Sequence, residues 1–279
     1  MTEYALGAVI DLANPVNWGS PFAVGLQWFG LTLRGLLEGV YWYNLCGIPG
    51  ALEHGRHARL VNITPTDQAS GLRATARPGA FGELRLDQAD DYAEVENHPT
   101  LQLATNFTMG FWLFIEANQG NVVTKFSHGA ASSGSQLRGI RLQSTQLFVG
   151  EQNANIITVT APTLNAWVYV VLTSRSAGSE IYFDAVSVGT GASLTQWFDH
   201  TGPMRIGRAE AIFFGSTASP FLGRFDALAL WNRPMHTDDV ERVTSEAARS
   251  FPSLLRRVTR GNDVVTARPW LYYARQYAA

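Results

Sequence analysis

Residues 107–115, FTMGFWLFI, alternate as a strand packed on both faces does: Phe107, Met109, Phe111, Leu113 and Ile115 fall on one side, Trp112 and Phe114 on the other. A second long run shares the pattern. Phe221, Gly223, Phe225, Ala227, Ala229 and Trp231 line one face, and Leu222, Leu228 and Leu230 line the other with Arg224 and Asp226. A strand apolar on both faces is usually covered on both sides. The residues from 204 to 243 therefore read as a strand, a loop, a long apolar strand, a corner at Asn232-Arg233-Pro234 and a helix. Thr237 caps that helix, Asp238 and Asp239 oppose the positive end of its dipole, and Val240, Val243 and Ala247 form its apolar face. Shorter runs at 83–86, 92–95, 122–126, 139–142, 146–150, 156–159, 167–173 and 180–188 are divided by Gly, Asn, Ser and Thr. Their spacing is about the 8–12 residues of sandwich strands.

Residues 1–75 break this rhythm. Asn14-Pro15-Val16-Asn17-Trp18 and Ser20-Pro21 signal turns or extended chain, since a residue before proline is pushed out of the helical region. Trp18, Trp28, Phe29, Tyr41, Trp42 and Tyr43 are too many large apolar groups for a solvated linker, so an ordered arm is expected, packed on the main domain or on a neighbouring subunit. Residues 250–279, set off by Pro252, hold Arg256, Arg257, Arg260, Arg268 and Arg275 against the single acid Asp263, with Trp270, Tyr272, Tyr273 and Tyr277. Arginine mixed with aromatics suits stacking on bases or anchoring in a protein interface. The expected division is an N-terminal arm over 1–75, a β domain over 76–249 and a C-terminal arm over 250–279.

Composition narrows the partners. The 279 residues carry a net charge of −2, and 16% are charged, which excludes a whole-domain electrostatic footprint for nucleic acid or anionic lipid. With no basic domain behind it, the C-terminal arm points to a protein interface. Lys125 is the one lysine among 21 basic residues, and arginine's planar, permanently charged fork suits interfaces, although a GC-rich coding bias gives the same count. Cys46 is the one cysteine, so no intramolecular disulfide is available. The apolar stretch 22–43 is interrupted by Arg34, Glu38 and four glycines, and 1–11 lacks a basic region before an apolar run. A soluble chain without a membrane partner is expected.

The strand segments GELRLDQADDYAEV (82–95), FTMGFWLFI (107–115), LNAWVYVVLT (164–173), IYFDAVSV (181–188) and residues 205–241 together resemble laminin-G-like, concanavalin A-like jelly-roll modules, over about residues 72–248. The resemblance implies an all-β fold: a two-sheet antiparallel jelly-roll sandwich with extended N-terminal and C-terminal arms and one short C-terminal helix. It makes 204–243 the closing strand of the sandwich, returning beside the sheet's early strands, with the helix sealing an open end and Arg224 and Asp226 as a surface ion pair. Asp184-Ala185 and Gln88-Ala89 depart from the module's usual glycine-containing forms, which weakens a turn or ion site there. A narrower resemblance lies in NPVNW (14–18) with Pro21, Gly25-Leu26 and Trp28, then Trp42-Tyr43-Asn44-Leu45 and Ala76-Arg77-Pro78-Gly79. These are similar to the lead-in of small tailed-phage virion proteins carrying one such module.

The fold serves lectins, adhesion modules, glycosidases and passive structural parts alike, so chemistry must be argued from residues. Glu94 and Glu96 share a strand face with Tyr92 and are the best local carboxylate pair for glycoside hydrolysis. The Glu-x-Asp-x-Glu run of laminarinase-type enzymes is missing, and a solvated acidic edge explains them. Asp90, Asp91, Asn97 and Asp199 are oxygen-rich strand ends that could hold calcium, with side-chain-capped turns as the alternative; no other cofactor is expected. His128, His200 and His236 have no partner at metal-ligand spacing. Asn62-Ile63-Thr64 and Asn106-Phe107-Thr108 match the glycosylation acceptor pattern by chance.

Three functions remain. The first is a non-enzymatic virion surface protein of a tailed phage, assembled in the host cytoplasm. It would decorate or cement the head by binding the major capsid protein or other virion subunits as a homo-oligomer, through Trp18, Trp28, Trp42, Arg256, Arg257, Trp270, Tyr272 and Tyr273. The second is a tail-fibre or receptor-binding protein recognising host glycans through exposed aromatics such as Trp112, Trp197 or Phe213. The third is a glycan hydrolase.

Overall fold

The computed structural model describes residues 8–10, 20–24, 26–30, 41–42, 58–63, 71–73, 77, 82–87, 90–103, 105–125, 138–151, 154–195, 202–208, 220–248 and 257–259. Among them the chain forms eighteen strands and one α-helix. The first seven strands are β1 (Ala8–Ile10), β2 (Leu26–Gly30), β3 (Tyr41–Trp42), β4 (Ala58–Val61), β5 (Gly71–Arg73), β6 (Glu83–Leu86) and β7 (Tyr92–Val95). The middle of the chain gives β8 (Phe107–Ile115), β9 (Gln119–Lys125), β10 (Arg138–Gln143), β11 (Gln146–Glu151), β12 (Ala154–Thr160), β13 (Trp167–Arg175), β14 (Gly178–Phe183) and β15 (Val186–Gly191). It closes with β16 (Met204–Ile206), β17 (Gly223–Trp231), α1 (Thr237–Ala248) and β18 (Arg257–Thr259).

Two antiparallel sheets form the sandwich. The first has the order β15-β14-β13-β8-β17-β6-β5, with β2 also paired to β17; the second has the order β12-β11-β10-β9-β16-β7-β4-β3. β1 and β18 make a separate antiparallel ribbon that joins the two ends of the chain, with Val9 opposite Val258. Residues expected as an N-terminal arm thus supply β2 to β5, four strands of the two sheets. No helix among the described residues is long and apolar enough to cross a membrane.

Alternation explains the main core. Phe107, Met109, Phe111, Leu113 and Ile115 of β8 all point between the sheets, as their spacing predicts, and meet Val123, Ile140, Leu147, Val149 and Ile157 of the second sheet. A second, smaller core forms on the outer face of the first sheet. There Tyr169, Val171, Tyr182, Ala229 and Trp231 pack under Val240, Val243 and Ala247 of α1. The helix therefore covers a sheet face rather than an open end. Thr237, Asp238 and Asp239 stand in its first turn as expected.

β17 departs from its expected facing because of a bulge. Asp226 is opposite Trp112 and Ala229 opposite Gly110, so Ala227 and Leu228 together face the one residue Phe111. Ala227 has φ 50°, and its N–H donates to Oδ1 of the preceding Asp226 at 2.8 Å. The extra residue inverts the alternation. Phe221 and Phe225 share the interior with Leu228 and Leu230, whereas Ala227, Ala229 and Trp231 turn to the helix. The bulge also marks a change of neighbour, since β6 pairs with Gly223–Phe225 and β2 with the stretch from Leu228 to Trp231.

The Asp184-Ala185 turn forms although alanine stands where glycine is usual. Phe183 and Val186 are opposite each other, and the two residues between them have φ 49° and 69°, as a two-residue hairpin requires. Tyr169 of β13 holds the turn from outside the hairpin: its N–H donates to Asp184 Oδ1 and its carbonyl accepts from Asp184 N–H, both at 2.9 Å.

Candidate functional site

The ends of β2, β8 and β17 converge at one end of the first sheet. Trp231 is opposite both Leu26 of β2 and Thr108 of β8. That pairing brings Gln27, Asn106 and Asn232, each adjacent to one of these strand ends, to the same place. The fourth wall is the connection between β7 and β8. A short 3₁₀ turn there, Pro99–Leu101, is closed by Leu101 N–H to His98 O at 2.8 Å and anchored by buried Leu101 and Leu103.

Together these segments line a recess of about 400 Å³, open to solvent, formed by Gln27, Pro99, Gln102, Leu103, Thr105, Asn106 and Asn232. Four of the seven side chains are primary amides and none is ionisable. Thr105 Oγ1 donates to Thr195 O at 3.4 Å. Among the described residues the side-chain amides of Gln102, Asn106 and Asn232 have no hydrogen-bond partner, so each offers its donors and its acceptor to a visitor.

The rim is held firmly. Arg233 donates through Nε to Val24 O at 2.9 Å and through Nη1 to Asp239 Oδ2 at 3.3 Å, tying the lead-in of β2 to α1. Thr108 Oγ1 donates to Arg233 O and accepts from Met235 N, each at 2.9 Å, which fixes the chain just after Asn232. The cavity is thus a neutral, amide-rich recess on a fixed frame, suited to hydroxylated ligands and lacking any charged group of its own.

Comparison with known proteins bears on what such a frame is. The Laminin_G_3 family model, described as the concanavalin A-like lectin/glucanases superfamily, matches residues 87–241, more than half of the chain. The chain belongs to this superfamily. No curated protein sequence matches it. Among solved structures, a mutant of Trypanosoma rangeli sialidase displaying trans-sialidase activity is similar at 13% identity and TM-score 0.57. That match covers 82% of this chain and 34% of the sialidase. The binding domain of Paraclostridial Mosquitocidal Protein 1 matches at 12% identity and TM-score 0.52, over 80% of this chain and 52% of that one. The botulinum neurotoxin serotype C1 binding domain matches at 12% identity and TM-score 0.51, with the same coverage. At these identities the likeness is one of fold. The chain spans about a third of the sialidase and about half of the toxin domains.

Within this superfamily member, several candidate residues take up other work. Trp112 does not face a ligand: α1 covers it, its Nε1 donates to Ala247 O at 3.2 Å, and its ring lies 5.3 Å from that of Tyr169. The Arg77 guanidinium stacks 4.5 Å from the Trp112 ring and pairs with Asp226. Asp226 is consequently buried, and the surface pair expected with Arg224 does not exist. Arg224 instead donates to Glu116 at 2.8 Å and to Glu83 at 3.1 Å. Burial pushes the Tyr169 phenol, beside this pair, far above its ordinary value; the Arg77 charge opposes that shift and the Asp226 charge adds to it.

Glu94 accepts from Arg205 at 2.7 Å and from Arg59 at 3.3 Å, while Glu96, next along, is exposed. Asp91 is buried and its Oδ2 accepts from Asp87 N at 3.4 Å, a side-chain-capped turn. Asp90 is exposed and offers its carbonyl to Asn62 Nδ2 at 3.0 Å. Among the described residues no three of His, Cys, Asp and Glu gather as metal ligands would. Asn97 serves Lys125, whose Nζ donates to its Oδ1 at 2.6 Å and to Gly202 O at 3.1 Å.

Trp28, Trp42 and Arg257 are placed by their backbones in β2, β3 and β18. Trp18, Trp197, Phe213, Asp199, His128, His200, Arg256, Trp270, Tyr272 and Tyr273 lie outside the described residues. Sequence reading missed Gln102 and Asn232 altogether and met Asn106 only in a glycosylation pattern. Isolated amides carry no spacing signal; strand pairing alone gathers them.

Proposed function

We propose that the protein is a glycan-binding module that acts by recognition without turnover. The observation that carries this reading is the cavity in which three amides without an internal partner converge. Primary amides are well matched to sugar hydroxyls, which donate and accept at once. Membership of a superfamily of lectins and glucanases supports it, and so does the likeness to two toxin domains titled as binding domains. Glu94, the best carboxylate for hydrolysis, is committed to two guanidiniums and stands on the other sheet. An array of immobilised glycans probed with the full chain tests the reading. Several structurally related hits are expected, with no release of reducing sugar from the same glycans; a blank array overturns it.

A second reading concerns where the module works. The lead-in around 14–28 and 42–45 is similar to that of tailed-phage virion proteins, and the ribbon of β1 and β18 brings the two terminal segments together as one element. That arrangement suits a subunit clipped to a virion, as a head decoration or as part of a tail fibre. Labelling purified particles for this protein, scored for head against tail, checks it; absence from both overturns it.

A further inference from the structure

We infer that the occupant of the amide-lined cavity is a single uncharged pyranose unit, held by its hydroxyls on Gln102, Asn106 and Asn232, and that acidic sugars are excluded. This rests on the glycan-binding reading above and narrows it to a ligand class and a set of contacts.

Size sets the first limit. About 400 Å³ lies at the small end of the range of roughly 300–1,000 Å³ for ligand pockets, so the recess seats one ring, and any further residues of a longer glycan would lie outside it through its open side. Charge sets the second. No lining side chain is ionisable, and Arg233, next to Asn232, is already spent on Val24 O and Asp239. A carboxylate entering here would give up its water without a cationic partner, a loss that a neutral sugar does not suffer.

The donor and acceptor inventory sets the third. Each free amide offers two N–H donors and a carbonyl, so one hydroxyl of a vicinal pair can accept from the nitrogen while its neighbour donates to the oxygen. Three such groups from two different connections, with Thr105 between them in the chain, provide more than one direction of approach. Pro99 and Leu103 supply the apolar surface against which the C–H face of a pyranose can rest. A ligand built only of apolar groups would leave the three amides buried without partners, so apolar occupants are disfavoured too.

The test is titration of the full chain with methyl glucoside, methyl mannoside, methyl galactoside and methyl N-acetylglucosaminide, against glucuronic acid and sialic acid, followed by ligand-observed NMR. At least one neutral glycoside is expected to bind, with little dependence on salt, and the acids at least tenfold more weakly. Asn232→Ala and Gln102→Ala should each weaken binding about 3- to 10-fold, the loss of one or two hydrogen bonds, with unchanged melting. Asn232 is exposed and Gln102 half-buried, so both variants should fold. Neutral binding that neither variant weakens would place the sugar elsewhere and overturn the inference while leaving glycan recognition standing. Preference for the acids would overturn the charge argument. A blank titration together with a blank array would remove both readings.

Discussion

On the first sheet Arg77 and Asp226 pair at 3% and 0% side-chain exposure beside Trp112, whereas on the second Glu94 and Arg205, at 14% and 16%, pair with each other and, through Glu94, with Arg59 at 59%. Both join guanidinium to carboxylate, but the second set opens to solvent through Arg59, and their energetics differ. A buried pair gives up hydration that its mutual attraction barely returns, yet losing one member strands a charge. An open pair loses little hydration and gains little. The buried pair is also tied to backbone geometry, because Asp226 holds the left-handed Ala227 N–H with its other oxygen. The open set joins cross-strand neighbours, Arg59 and Arg205 both standing opposite Glu94.

The largest effect expected from this contrast is that of Asp226→Ala, which should lower stability by about 3–5 kcal/mol in denaturant melts. A double variant, Arg77→Met with Asp226→Leu, should recover much of that loss. If the single change costs under about 1 kcal/mol, the two pairs are energetically alike and the contrast fails.

Tyr169 gives the next effect. Its phenol is held neutral by burial, so the unfolded chain releases that proton first as pH rises, and stability bound to the neutral form is lost above the ordinary tyrosine value near pH 10. The expected fall is about 1.4 kcal/mol per pH unit for this group. Melts between pH 9 and 11 should show a shallower fall in Tyr169→Phe; equal slopes would mean that Tyr169 does not report on the buried cluster. Smallest are the changes on the open face. Arg59→Ala should cost less than about 0.5 kcal/mol, shrinking in high salt, and Glu94→Ala, which also removes the carboxylate held by the mostly buried Arg205, about 1–2 kcal/mol.

How far the sequence alone reaches can be seen strand by strand. β8 was legible because nothing interrupts its alternation, and α1 because its cap, its acids and its apolar face agree. β17 was read on the wrong faces beyond Phe225, since a period of two assumes one residue per step and a bulge adds one. Asp226 was the available clue, a short acid able to bond the next N–H. At Asp184-Ala185 the expectation weighed alanine's steric cost but could not see Tyr169 holding the turn. The cavity was not legible at all. Gln27, Gln102, Asn106 and Asn232 become neighbours only when strands from opposite ends of the chain pair, and no local pattern encodes that.

The pairing of β2 with the far half of β17 carries a consequence for the order of assembly. β2 is made before most of the sandwich, and the strand it must zip against emerges only after nearly every other strand. Contacts so distant along the chain are slow to form. The recess that Gln27 lines can therefore take shape only late, after a nascent chain has carried β2 without its sheet partner until β17 emerges. A ligand that occupies the finished recess would bind the completed protein and not its precursors, and would report on completion of the fold.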